Sequence, residues 1–400
     1  MLDLIKAPHH EQRISYAGLA RCGLFSFWGS ILLFNLPFLT DQNIVHRNAN
    51  TNSVPSFEGT SAAMTNLERL QTIGIKRLGT PKRGFRYESQ NGRLTLADQQ
   101  RIYELKIPPA WTDVYINPAV TGRLQAVGKD TAGRWQYLYH ENHTRTQELR
   151  KFRRLTKFAQ AIPKMRATVR RHLRQPGLGR ERVLACMLRI LSTCFMRPGS
   201  EVYASEHGSY RIATLRRKHV TVKGDVVVFD FPGKSGVRQY RELEDRQVAR
   251  VIRSLLKVPG YNVFKYQNGD EKFVKVTGQH INAYIKEVMG SSFSAKDFRT
   301  WAGTLVCACA LAREGNETPL QKTAKNKRIV AAIKETAEVL GNTPAVCRGS
   351  YVCPEIIDAF DKGRVIDSNV NNLADLIAFR GHGLHKAEKA LLKFLKHGVR

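Results

Sequence analysis

Acidic side chains are scarce in this 400-residue chain: 34 Asp and Glu stand against 64 Lys and Arg, leaving a formal net charge of +30. Such a surplus points to a polyanionic partner, because cations that neutralise closely spaced phosphates release condensed counterions. Nucleic acid therefore leads, ahead of a membrane surface or a ribosomal assembly. Cysteine is also sparse, seven in all and odd in number. Cys186, Cys194, Cys307 and Cys309 lie in apolar, helix-like stretches, which argues against a disulfide framework and for reduced, buried thiols. Cys307 and Cys309 lack a second pair at finger spacing, so no zinc site is expected. Reduced thiols imply an intracellular setting. Repeats and low-complexity tracts are missing, and 42% hydrophobic content is enough for two modest cores.

Long apolar runs are few. Cys22 to Leu39 is mostly apolar and follows Lys6, Arg13 and Arg21, as in a signal-peptide core or a marginal membrane span, but Gly23, Gly29, Asn35 and Pro37 interrupt it. Residues 1–63 are read as an extension outside the working protein, with Met64 as its start. A membrane anchor is the rival reading, and the intact mass of the cellular protein separates the two.

From residue 64 to 143 short alternating runs dominate: Gly84 to Tyr87, Leu94 to Leu96 after an Asn91-Gly92 turn, Val114 to Ile116, Leu124 to Val127 and Trp135 to Tyr139. They predict a small β-rich domain with one helix over 97–105. Arg145 to Arg174 carries eleven Lys or Arg and one acid, Glu148, with apolar residues at helical spacing. This basic helix opens a second domain, 144–362, expected to be mainly α. Helices are predicted over 180–195, 245–256, 280–289, 298–313, 325–340 and 355–362. A small antiparallel sheet is predicted from 210–214, 220–222, 226–231 and 237–243, with Lys234 at a hairpin tip. Residues 363–400 read as a basic helical tail. The fold class is thus α+β.

Four separated motifs in the second domain carry the chemistry: Arg197-Pro-Gly199 followed by Tyr203; Pro232-Gly-Lys-Ser-Gly236; Ala295-Lys-Asp-Phe-Arg-Thr-Trp-Ala-Gly303; and Leu340-Gly-Asn-Thr-Pro344 leading to Arg348-Gly-Ser-Tyr351. Pro232 to Gly236 is no P-loop, since it lacks the four-residue spacer and lies between strands. Singly, each is an ordinary turn, cap or surface cation. With Arg83-Gly-Phe-Arg-Tyr87, Ile107 to Asp113 and Gln125 to Tyr137 in the first domain, the set resembles the type IB DNA topoisomerases of the small bacterial and poxvirus-like kind, over about residues 74–360.

The resemblance implies a clamp around duplex DNA and a metal-free, ATP-independent transesterification with no cofactor. It assigns Tyr351 as nucleophile, Arg197, Arg299 and Asn342 as the cradle for the phosphate, Lys234 as proton donor to the leaving 5′-hydroxyl and Lys296 as its helper. Poxvirus enzymes carry histidine where this chain has Asn342, which donates a hydrogen bond but carries no charge. DNA contacts are expected from Arg134, Gln136, Tyr137 and Tyr139 in the β-rich domain, from Lys151, Arg153 and Arg154 on the basic helix, and from Tyr203. The protein is expected to act as a monomer. Two alternatives stay open: a site-specific tyrosine recombinase, which shares the arginine, lysine and tyrosine chemistry, and a non-catalytic basic DNA-binding protein.

Overall fold

The computed structural model describes residues 64–90, 92–199, 208–269, 272–315, 321–367 and 373–397. The apolar run at 22–39 and Tyr203 therefore lie outside the described residues. The chain divides into two compact units between Lys151 and Phe152, inside one long helix. The sequence placed its boundary at 143/144. The helix begins before that point, at Glu141, and has no break there.

In the first unit, five strands, β1 (Ile75–Thr80), β2 (Gly84–Glu88), β3 (Thr112–Ile116), β4 (Leu124–Lys129) and β5 (Trp135–Tyr139), form an antiparallel sheet in the order β2-β1-β3-β4-β5. Helix α2 (Leu96–Glu104) covers one face through Ile102, which clusters with Ile75, Trp111, Val114 and Ile116. Helix α1 (Asn66–Ile73) covers the other through Leu70, which packs with Leu124 and Val127. Leu94 to Leu96 is not a strand: the Thr95 hydroxyl accepts from Asp98 N at 3.1 Å while Asp98 accepts from Thr95 N, a reciprocal cap that starts α2. A hairpin in this region is β1–β2, turning at 81–83, and Asn91 of the expected Asn91-Gly92 turn lies outside the described residues.

A buried arginine locks this unit. Arg77 is 8% exposed and donates to the carbonyls of Ile107 (3.4 Å), Pro108 (3.2 Å) and Trp111 (2.7 Å), holding the α2–β3 connection against β1. Replacing it with methionine strands those acceptors, so Arg77→Met is expected to destabilise this unit by about 2–3 kcal/mol, read as a lower denaturant midpoint.

The second unit is built around two helices apolar on nearly every side, α4 (Arg180–Cys194) and, further on, Ala295–Arg313, as expected of helices enclosed by others. The long helix α3 (Glu141–Leu173) buries Phe152, Leu155, Phe158, Ile162, Met165 and Val169 along one stripe. A three-stranded antiparallel meander, β6 (Val220–Lys223), β7 (Val226–Pro232) and β8 (Arg238–Glu244), follows, then α5 (Arg246–Lys257) and the ribbon β9 (Lys265–Gln267) with β10 (Phe273–Lys275). Helices α6 (Gly278–Met289), α7 (Ala295–Arg313), α8 (Lys322–Leu340), α9 (Pro344–Ser350) and α10 (Pro354–Asp361) complete the core. Residues 210–214 are not a strand. They form a 3₁₀ turn at Ile212–Thr214, and the N–H groups of Tyr210, Ile212 and Ala213 go to Pro232 O, Arg197 O and Pro198 O at 2.8 to 3.1 Å.

The basic tail is helical as expected, though not as one helix. It forms two helices, α11 (Leu373–Ala378) and α12 (Lys386–His397), broken where the Arg380 carbonyl turns to accept from Arg170 and its guanidinium donates to Glu244 O. Ala387, Leu391 and Leu395 are buried in the main core, and Glu388 takes a two-pronged bond from Arg166 of α3 at 2.7 and 3.0 Å. No helix among the described residues is long and apolar enough to cross a membrane.

Candidate active site

Helix α4 ends at Phe195, whose left-handed backbone (φ 53°) turns the chain and aims its carbonyl inward. Arg299, one turn into α7 and 3% exposed, takes that carbonyl with Nη1 and Leu340 O with Nη2 at 3.0 Å. Arg197, two residues beyond Phe195, donates through Nη2 to Gly341 O at 3.0 Å and to Asn342 Oδ1. Burial pushes the Arg197 guanidinium down to about 10, helped by the charge of Arg299, so it remains a cation at neutral pH.

Tyr351 follows the short helix α9, with its N–H on Cys347 O at 2.9 Å. The Arg299 guanidinium stands 5.0 Å from the centre of its ring. Burial acts to raise the phenol, but the charge of Arg299 and its hydrogen bond, with the charges of Arg197 and Lys296, outweigh it and hold the group below its ordinary value. Two features of α7 fix the tyrosine backbone. The Thr304 hydroxyl donates to Tyr351 O and accepts from Cys353 N, both at 3.1 Å. Gly303 permits the approach, since a Cβ there would lie 2.8 Å from Tyr351 O and 2.9 Å from its Cβ.

The structure therefore brings Arg197, Arg299, Asn342 and Tyr351 together. Arg299 Nε and Asn342 Nδ2 are buried without a hydrogen-bond partner among the described residues. Buried donors are seldom left so, and the oxygens of an anionic ligand are acceptors of the kind such donors lack. Lys296 is exposed at the start of α7, close enough for its charge to act on Tyr351. Lys234 is exposed on the turn between β7 and β8. Its neighbour Gly233 lines a small cavity of about 20 Å³ together with Arg197 and Arg299.

The expected DNA-contact residues scatter more. On β5 the side chains alternate: Tyr137 and Tyr139 join the cluster with Leu70, whereas Leu138, on the opposite parity with Gln136, joins the Ile102 side. Gln136 is 7% exposed and donates to Asp130 at 2.8 Å, and Arg134 holds the same carboxylate at 2.7 Å. Tyr139 packs on His143 with ring centres 5.4 Å apart. On α3, Arg153 is exposed and Lys151 half-buried, while Arg154 pairs with Asp297 at 3.4 Å and donates to Ser292 O. Gln239 and Arg241 on β8 belong to no motif, yet both line the small cavity. The signal for Arg241 was its strand parity, which it shares with the buried Leu243.

A sequence profile described as eukaryotic DNA topoisomerase I, catalytic core, matches residues 140–362. The chain belongs to the type IB DNA topoisomerase family. A second profile, the bacterial DNA topoisomerase IB N-terminal domain, matches residues 84–130. Among similar proteins, DNA topoisomerase 1B of Acanthamoeba polyphaga mimivirus is 38% identical over 273 residues, 67% of this chain and 81% of that protein. DNA topoisomerase 1B of vaccinia virus (strain Copenhagen) is 24% identical over 298 residues, covering 72% of this chain and 90% of the viral one. DNA topoisomerase 1 of Drosophila melanogaster is 33% identical over 155 residues, 37% of this chain and 15% of the fly protein. The α+β expectation and the family resemblance both hold, and the matches favour neither the recombinase nor the non-catalytic alternative.

Proposed function

We propose that this protein relaxes supercoiled duplex DNA by cutting and resealing one strand, with Tyr351 as nucleophile. The observation that carries the assignment is the Tyr351 phenol set under Arg299, beside a turn that Arg197 and Asn342 share. The phenol gives up its proton to solvent and its oxygen attacks the phosphorus, the bond to the 5′-oxygen breaks, and that oxygen leaves with a proton from Lys234, aided by Lys296. Arg197, Arg299 and Asn342 receive the charge that builds on the non-bridging oxygens. The 3′-phosphotyrosine ester conserves the bond energy, so the free 5′-hydroxyl can return after the strand has rotated, without ATP. One chain supplies every group, which supports action as a monomer. We place it in the cytoplasm, on the nucleoid, with the contacts of Arg134, Gln136, Tyr137, Tyr139, Lys151, Arg153, Arg154 and Tyr203 assigned to the duplex.

Purified protein is expected to relax plasmid of either supercoil sign in EDTA without ATP, and denaturant should trap it on a 3′ end. Loss of activity on chelation would overturn the metal-free mechanism, and dependence on paired target sites would return the recombinase. A phenol lowered by neighbouring cations loses its proton more readily as pH rises. Single-turnover cleavage should thus climb with pH and level off below the ordinary tyrosine value of 10.0. Lys296→Ala should move that inflection upward, and an unmoved inflection would separate Lys296 from the phenol.

A further inference from the structure

The last carbonyls of a helix have no partner within it and form the negative end of its dipole. At the end of α8 three successive ones each meet a different arginine: Val339 O accepts from Arg241 Nη2 at 3.4 Å, Leu340 O from Arg299 and Gly341 O from Arg197, both at 3.0 Å. Arg299 and Arg197 belong to the site already described. Arg241 has no role assigned there, although it lines the same small cavity, is 5% exposed and stands on the core side of β8. It also donates to Tyr240 O at 2.8 Å and to Gln239 Oε1 at 3.3 Å.

Gln239 touches two backbone turns at once. A Cβ on Gly341 would lie 2.5 Å from Gln239 Oε1 and 3.2 Å from Arg241 Nη2, and the left-handed φ of +60° at Gly341 disfavours a side chain besides. A Cβ on Gly233 would lie 2.6 Å from Gln239 Cγ. Gly341 precedes Asn342, and Gly233 precedes Lys234. One side chain thus rests against the residue before the carboxamide of the cradle and the residue before the hairpin lysine. Its amide oxygen is held by an arginine that is itself fixed to the end of α8.

We propose that Gln239 and Arg241 are positioning residues that lock the Lys234 hairpin to the Asn342 turn, so that the proton donor and the phosphate cradle keep one geometry. This rests on the reading of Lys234 as proton donor. Neither residue needs to touch DNA: Gln239 acts through Lys234, and Arg241 acts by holding Gln239 and the turn.

The test is single-turnover cleavage of a duplex carrying either the natural 5′-oxygen or a bridging sulfur at the cut position, because a thiolate departs without a proton. Gln239→Met keeps the bulk between the turns while removing the bond to Arg241, and Arg241→Met and Arg241→Lys complete the set. Small misplacements of a catalytic group are costly, so Gln239→Met and Arg241→Met should each slow natural cleavage roughly ten- to a hundredfold with duplex affinity unchanged. Arg241→Lys should recover much of the loss, and the bridging sulfur should restore most of the Gln239→Met rate. Wild-type rates in the variants, a loss that lies wholly in affinity, or no recovery with sulfur would overturn the coupling. Lys234→Ala is the control. Its recovery with sulfur while Gln239→Met stays slow defeats the coupling alone, and its failure to recover defeats the proton-donor reading and the coupling together.

Discussion

Tyr351→Phe is expected to abolish plasmid relaxation and the covalent adduct while leaving duplex affinity nearly intact. The substitution deletes one oxygen and keeps the ring, which is half-buried against the core beneath Arg299. The backbone bonds that seat the residue, Thr304 Oγ1 to Tyr351 O and Tyr351 N to Cys347 O, involve no phenol. Folding should therefore survive, and a thermal melt within a few degrees of wild type is the control. Without the oxygen no ester to phosphorus can form, so the loss is complete. Gel shift on a short duplex, denaturant trapping and relaxation decide the matter, and any relaxation that persists in the variant removes Tyr351 from the role.

Arg299→Ala should be the next most damaging change. The guanidinium stands 5.0 Å from the centre of the Tyr351 ring, and its Nε is a buried donor that no described protein group uses. Loss of one such donor at a developing oxyanion typically costs about 10²- to 10³-fold in rate. Here the phenol would also lose the neighbour that does most to lower it. Alanine additionally strands the carbonyls of Phe195 and Leu340, so part of the effect will be structural. Arg299→Lys separates these contributions: it restores charge without the planar fork, and its adduct should form faster than that of alanine but well below wild type. Equal rates for Lys and wild type would show that charge alone suffices.

Much of this site was legible in the sequence through the resemblance of four separated motifs to the type IB enzymes, whose chemistry calls for such residue types. Arg197, Arg299, Asn342 and Tyr351 lay in separate motifs, and the fold brings them together. The helices were legible where apolar periodicity was strong, as in α3 and α4. What escaped depended on contacts distant in sequence. Residues 210–214 look β-forming, yet the N–H groups of Ile212, Ala213 and Tyr210 bond to Arg197 O, Pro198 O and Pro232 O, which no local pattern can show. Leu94 to Leu96 alternated like a strand, but the cap between Thr95 and Asp98 overrode it. The apolar stripe of α12 predicted a helix but not that it would be buried, because burial depends on the surface α7 offers. Gln239 and Arg241 fall in the predicted strand 237–243 but in no motif, and their contact with the turn at Gly341 comes from residues distant in sequence.

The arginines of this centre are moored to peptide oxygens and have no carboxylate within pairing distance among the described residues. An arriving phosphate consequently has no rival anion to displace. Electrolyte should then act at one stage only: it weakens capture of the duplex, where many surface cations meet the backbone, and leaves the speed of strand scission in the assembled complex almost untouched.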